Sequence, residues 1–273
     1  MRWYKRMATV CVVLLLASSC SQNHLPDYAP DIVSMAYKKM NKITTFRSHS
    51  IMEMTVKRQE NEERYKREVT TVSFSDPREI TVQLKKGEGE EEEESYLYYD
   101  EDLSKENAYE LEGGRWVEAS KEVMEPYESV VPFGTYFAGT DSFTKLASEQ
   151  GSTILQGTVE GSNVVYALKE SGVLAYFSLT TMSEELAKKL SPVKVKVWID
   201  QRNNQVTRME ADMTETLHSF VRAFYTEHLG PDIGSCIYRI ESIKVGEPAP
   251  LPLPKGTEEA LRDALAKLSL IHI

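Results

Sequence analysis

The residues best suited to nucleophilic, redox or metal chemistry are three cysteines and five histidines, and their spacing builds no familiar site. Cys11 lies within an apolar run, Cys20 ends it, and Cys236 stands far away, so no CxxC pair offers zinc or dithiol ligands. Cys236 reads as a small residue within a strand. His24, His49, His218, His228 and His272 form no HExxH pair, and GxSxG and P-loop patterns are also missing. Glu215, His218 and Glu227 could hold a metal; the simpler reading is a polar face on an amphipathic helix. Gly87–Glu94 carries six glutamates, Glu88 and Glu90–Glu94, and reads as a solvated tip, with a calcium-attracting or partner-contacting loop as the sharper alternative. It lacks the spaced Asp/Asn ligands of an EF-hand loop. The expectation is a protein that is not an enzyme and uses no metal and no cofactor.

The thiol with a defined chemical prospect is Cys20. Residues 1–6 contain Arg2, Lys5 and Arg6 and no acid; Met7–Leu16 is apolar; Ala17–Ser19 are small. That order is the order of a secretory signal peptide, and its apolar run is shorter than the roughly 20 residues a spanning helix needs. LLLASSC resembles the bacterial lipobox, which implies that lipid, such as palmitate, is attached at Cys20 before the peptide is cut. Residues 1–20 are thus expected to be a lipoprotein signal peptide and Cys20 a lipidation site. Residues 21–29 (SQNHLPDYA) read as a tether with a reach of at most roughly 30 Å. The resemblance implies an extracytoplasmic protein anchored to the cell membrane. Ser21 is not the aspartate that retains lipoproteins at the inner membrane of many Gram-negative bacteria. The outer face of a cytoplasmic membrane is the expected location.

The chain of 273 residues is 41% hydrophobic and 27% charged, which suits a folded domain with a substantial core. Its formal net charge of −10 becomes about −13 once the three basic signal residues leave. An acidic surface argues against nucleic acid as a partner. It does not oppose a covalent lipid, whose chains bind through buried methylenes.

The elements that must position any site alternate at period two over much of the chain. Pro30–Lys42 predicts a helix with an apolar stripe of Val33, Ala36, Tyr37 and Met40. From Phe46 the pattern predicts a strand with Phe46, Met52, Met54 and Val56 on one face. Glu62–Phe74, Ile80–Leu84 and Ser95–Tyr99 follow as strands. Asn107–Ala119 predicts a hairpin turning at Gly113-Gly114. Glu125–Thr140 reads as an aromatic-rich loop, Asp141–Glu149 as a short helix, and Thr153–Val159 with Asn163–Lys169 as a strand pair. Thr181–Leu190 predicts a helix opened by a Thr181/Glu184 capping box. Val193–Ile199 and Gln205–Met213 predict strands, Thr214–His228 a helix, Cys236–Val245 a last strand. A segment with prolines at 248, 250, 252 and 254 then precedes an amphipathic helix, Thr257–Leu268. Strands joined by short turns imply an antiparallel meander.

NVVYALKES is followed by VKVKVWIDQRNNQVTRMEADM, which is similar to the strand–turn–strand of lipoprotein-sorting and lipid-carrier proteins of the LolA/LolB type and of the mycobacterial LppX/LprG group, and the later VGEPAPLPLPKGTEEA resembles the ending of related lipoproteins from Gram-positive bacteria, many without assigned function. The resemblance spans roughly residues 30–256, leaving 257–273 as a C-terminal helical tail. It implies an α+β fold: a strongly curved antiparallel sheet, an unclosed β-barrel, with helices across its concave side. It gives Trp198, Ile199 and Asp200 a structural role at a strand end. It implies a lipid or other hydrophobic ligand, an acyl chain for example, in the half-barrel groove. Phe46, Met52, Met54, Val56, Tyr98, Trp116, Phe133 and Phe137 are the candidate ligand-binding residues, methionine being adaptable to irregular apolar partners. The alternative is an envelope sensor or protein-interaction module that uses the same fold to display loops to a protein partner.

Overall fold

The computed structural model describes residues 28–43, 45–58, 61–75, 78–87, 93–102, 105–120, 134–137, 142–179, 182–225, 230–246 and 249–270. Cys20, the signal, tether residues 21–27, Phe133, Glu88–Glu92, Glu227 and His228 lie outside these, while Ala29, expected to end the tether, instead begins the first helix.

Eleven strands form a single sheet: β1 Phe46–Arg58, β2 Asn61–Ser75, β3 Arg78–Lys86, β4 Glu93–Asp102, β5 Lys105–Glu112, β6 Arg115–Glu118, β7 Thr144–Glu149, β8 Ser152–Val159, β9 Val193–Asp200, β10 Val206–Asp212 and β11 Asp232–Val245. Their order is β6-β5-β4-β3-β2-β1-β11-β10-β9-β8-β7, and every neighbouring pair is antiparallel. Two meanders are thus joined at the centre by the long first and last strands. β6 and β7 end the sheet and do not pair with each other, so the barrel is unclosed. The β1–β11 ladder carries register shifts between His49 and Ser50 and between Thr55 and Val56, irregularities that sharpen local twist.

The helices are α1 Ala29–Met40, α2 Gly134–Phe137, α3 Asn163–Ser171, α4 Val173–Tyr176, α5 Glu184–Ala187, α6 Thr214–Phe224 and α7 Thr257–Leu270. α1 starts with proline in its first turn and Asp31 at the positive end of its dipole, and it buries Ile32, Val33, Ala36 and Met40. The alternation of β9 is strict, with Val193, Val195, Val197 and Ile199 buried between more exposed residues.

Three local expectations are corrected. Residues 144–149 form strand β7 rather than a helix. Their side chains are almost all exposed, so no apolar pattern marks them, and backbone pairing with β8 overrides the helical preference of Lys, Leu, Ala and Glu. Residues 163–171 form helix α3 rather than a returning strand: Val164, Ala167, Leu168 and Ser171 bury one face at helical spacing. The helix expected from Thr181 is confined to Glu184–Ala187. Its cap is Ser183, whose Oγ accepts the Leu186 N–H at 3.3 Å.

Register determines which side chains share a face. One transverse row runs Leu84–Val69–Ser50–Ile240–Met209–Val197–Leu155 across seven strands. This inner face, over β8–β11 and β1, meets α1–α4 and α6 in the main core, where Met52, Met54, Val197, Met209, Ile32, Leu168 and Phe220 are all buried. The opposite face of β2–β6 carries Val72, Tyr96, Tyr98, Tyr109 and Trp116, and it is covered by the proline-rich segment and α7 through Leu251 and Leu261. Helices therefore pack on both sides of the sheet, α7 being the one described helix on the outer side.

Candidate functional site

The inner face divides into two apolar halves. In the first, the sheet meets the helix layer. Tyr136 on α2 donates its hydroxyl to the Ala167 carbonyl of α3 at 3.1 Å, and its ring stacks on Tyr238 of β11 with centroids 6.2 Å apart. α6 is fastened to the start of β11: Cys236 N–H donates to Thr214 Oγ1 at 3.0 Å, and His218 Nε2–H donates to the Ile233 carbonyl at 2.6 Å. That contact uses one of the two ring nitrogens of His218, while Nδ1 faces Glu215 Oε1 at 3.7 Å. Among the described residues no group of three or more His, Cys, Asp and Glu is arranged to hold a metal ion.

The second half lies on β2–β5. Val69, Ile80, Val82, Leu84, Leu97, Tyr99 and Ala108 form their own cluster, joined at its margin by Ala119. No residue of a described helix belongs to it. It is on the same side as Met52 and Met54, because Phe46, Ser73, Ile80, Tyr99 and Ala108 are successive cross-strand partners.

A polar seam separates the halves. Ser48 and Thr71 face each other across β1 and β2, and Ser73 faces Phe46. Ser73 is 2% exposed, Thr71 6% and Ser48 8%. Further along β2 the buried Arg67 donates from Nη1 to the Ser171 carbonyl at 3.3 Å, which places its positive charge at the negative end of α3.

At the margin of the helix layer, a groove of about 400 Å³ lies between α5 and the end of α6. Leu179, Met182, Leu186, Ala223 and Phe224 line it, with Glu185 and Lys189 among its polar residues. Phe224 is 48% exposed and stacks on the buried Phe220 at 5.2 Å. Phe220 meets Phe177 at 4.9 Å, Phe177 meets Tyr176 at 5.1 Å, and Tyr176 meets Tyr65 of β2 at 5.3 Å. A chain of aromatic rings thus runs from the groove to the sheet.

Of the residues singled out from sequence, Phe46, Met52, Met54, Val56 and Phe137 come together in the core beneath the helices. Tyr98 and Trp116 are brought together with each other, rings 6.3 Å apart, on the opposite face. Tyr98 is partnered across the strands with Thr81, which neighbours inner-facing Ile80 and Val82, so it points away from Met52. Sequence reasoning missed the groove residues, since a four-residue helix leaves no periodicity to read. It also passed over Ile80, Val82 and Leu84 as site residues, although their alternation was plain.

Burial dominates the shifted groups of the inner face. Burial pushes the Cys236 thiol up to about 12, with Asp212 adding to the effect. Tyr136 is raised by burial and by Glu170. On the outer face, burial and then the opposed Asp100 raise Glu79.

No family model matches the chain, and no curated protein does. Among solved structures, the chain is similar to a putative outer membrane lipoprotein-sorting protein domain from Vibrio parahaemolyticus, with 9% identity over 87% of this chain and 97% of that one and a TM-score of 0.26. It is similar to a LolA superfamily protein from Nitrosomonas europaea at 11% identity, 81% and 94% coverage and a TM-score of 0.28. A hypothetical protein from Chlamydia trachomatis gives 8%, 81% and 97%, with a TM-score of 0.31.

Proposed function

We propose that this chain is a lipid-anchored extracytoplasmic protein, fixed through Cys20, that binds a lipid or other hydrophobic ligand on the inner face of its unclosed sheet without catalysing a reaction on it. The observation that carries this reading is apolar surface left open at the margin of the helix layer, where Phe224 is 48% exposed beside the buried Phe220. The groove at Phe224 adds an apolar opening at the margin of the helix layer, of a volume usual for small-molecule sites. Among the described residues no helix is long and apolar enough to cross a membrane; the lipobox-like order that ends at Cys20 supports attachment through a lipid.

Two measurements test the reading. Membrane fractionation of the Cys20→Ser variant should move the protein from the membrane to the soluble fraction; retention on the membrane would remove the anchor from the account. Native mass spectrometry of gently extracted protein should show a co-purifying apolar molecule. A clean apo mass, together with failure to bind any apolar fluorophore, would overturn ligand binding.

A further inference from the structure

The helix layer has two sides, one packed on the sheet and one turned away from it. α1, α2 and α3 all bury residues in the main core. α2 lies between the other two: Tyr37 of α1 meets Phe137 edge-on at 6.4 Å, and Tyr136 donates to the Ala167 carbonyl of α3. The sides of α1 and α3 that turn away from the sheet therefore look the same way. On α1 that side carries Lys38 and Lys42, four residues apart and out of phase with the buried Ile32, Ala36 and Met40, with Lys39 on its flank. All three lysines are exposed, and none forms an ion pair with a described residue. Asp31 is the only acid between Tyr28 and Ile43, so this stretch is basic in a chain whose formal net charge is −10.

Exposed aromatic rings accompany the lysines. Tyr28 is 66% exposed, Tyr166 of α3 60% and Tyr37 39%. A helix C-terminus favours cations, which accounts for lysines in the last turn of α1. It does not account for the three tyrosines, whose rings and hydroxyls suit the boundary between hydrocarbon and headgroups. The chain also limits where this side can be. Seven residues, Ser21–Asp27, separate Cys20 from Tyr28. Fully extended, they reach at most roughly 25 Å. A lipid on Cys20 thus brings α1 to the bilayer, the helix nearest the anchor along the chain. The overall negative charge does not oppose this contact, because screening over about 8–10 Å leaves only the charges closest to the surface to be felt.

We propose that the outward side of α1 and α3, with Tyr28, Tyr37, Lys38, Lys39, Lys42 and Tyr166, seats on the bilayer that holds the anchor and recognises anionic headgroups there. This rests on the anchoring through Cys20 proposed above and adds an orientation: the helix layer faces the membrane, and the outer face with α7 is turned from it.

The test reads that orientation on the full, lipidated chain. A fluorophore is placed on Asn41→Cys, at the end of α1, or on Glu118→Cys, exposed on β6 at the outer face. Each variant offers one labelling site, because Cys236 is buried and lipid occupies Cys20 when the anchor is present. The protein is reconstituted in vesicles of phosphatidylcholine alone, or of equal parts phosphatidylcholine and phosphatidylglycerol, containing a lipid with a nitroxide on its headgroup. In the mixed vesicles the nitroxide should quench position 41 several-fold more than position 118. The ratio of seated to unseated protein should fall about tenfold or more in phosphatidylcholine alone, and likewise with Lys38→Glu, Lys39→Glu and Lys42→Glu together. The comparison of lipids leaves the lysines unchanged, so it stands if the charge-reversed variant folds poorly. Equal quenching at the two positions, or quenching at position 41 that ignores lipid charge, would overturn the proposal and leave the anchor standing. A protein that does not float with the neutral vesicles would overturn the anchor itself, and the proposal with it.

Discussion

Arg67 and Gly172 are fitted to each other. A Cβ built on Gly172 would lie 2.5 Å from Arg67 Nη1 and 2.6 Å from its Cζ. Gly172 itself has φ of +77°, in the left-handed region, where it ends α3 and starts α4. The guanidinium therefore lies over the only kind of residue that leaves it room, and from there it reaches the Ser171 carbonyl. Gly172→Ala should destabilise the fold by more than the roughly 1 kcal/mol of backbone strain. Gly161→Ala is the control, because Gly161 has φ of +62° with nothing within 4 Å of its would-be Cβ. Urea denaturation of the two variants should differ by about 1–2 kcal/mol, the excess at Gly172 reporting displacement of Arg67. Equal losses would show that Arg67 yields freely.

Met54 and Trp116 lie on opposite faces, and their substitutions should have separable effects. Met54→Ala empties part of the main core and should cost about 2–5 kcal/mol in global stability by urea denaturation. Trp116 donates from Nε1 to the Thr257 carbonyl at 3.0 Å and packs beside Leu261. Trp116→Ala should loosen the C-terminal segment first, read as faster proteolysis within residues 249–270 while apolar-probe binding persists. Loss of probe binding on Trp116→Ala would move the ligand to the outer face.

Glu79 makes stability depend on pH. Its carboxyl is raised above the ordinary 4.5 by burial, and then by Asp100, directly opposite across β3 and β4. The folded state holds this proton more tightly than the unfolded chain, so protonation favours folding. The contribution is full below 4.5 and is lost as pH rises through the raised folded value. Glu79→Gln should therefore raise the urea midpoint at neutral pH, with the gain shrinking toward pH 4.5. A gain independent of pH would indicate a packing effect instead.

Cys236 should be chemically silent. It is fully buried, its thiol is pushed up to about 12, and the thiolate is the reactive form. A chain beginning at Ser21 should show no thiol titratable by a disulfide reagent when native and one after denaturation. Rapid native labelling would mean that β11 opens readily from β1 and β10.

Much of the architecture was legible because strands record burial at period two and helices at three to four. The faces of β1 and β9 and the amphipathic C-terminal helix were readable in this way, and so was the stripe of α1 except that Ile32 is buried where the exposed Tyr37 was expected. The exposed edge strand β7 was not, since it buries almost nothing. α3 was misread, although Val164, Ala167, Leu168 and Ser171 carry the helical spacing, because the short turn at Gly161-Ser162 suggested a hairpin.

What the sequence determined by itself is the order of a basic start, an apolar run, small residues and Cys20, and after them a domain of alternating strands in antiparallel succession. What only the tertiary structure decided is which strand faces look the same way. Tyr98 and Met52 each belong to an alternating pattern, yet they point to opposite sides. The pairing register across β1, β2, β3 and β4 sets that relation, and a shift of one residue in any ladder would reverse it. Local periodicity shows that a strand has two faces; the chain of pairings decides that Tyr98 and Trp116 meet α7, and that Ser48 and Thr71 stand opposite each other.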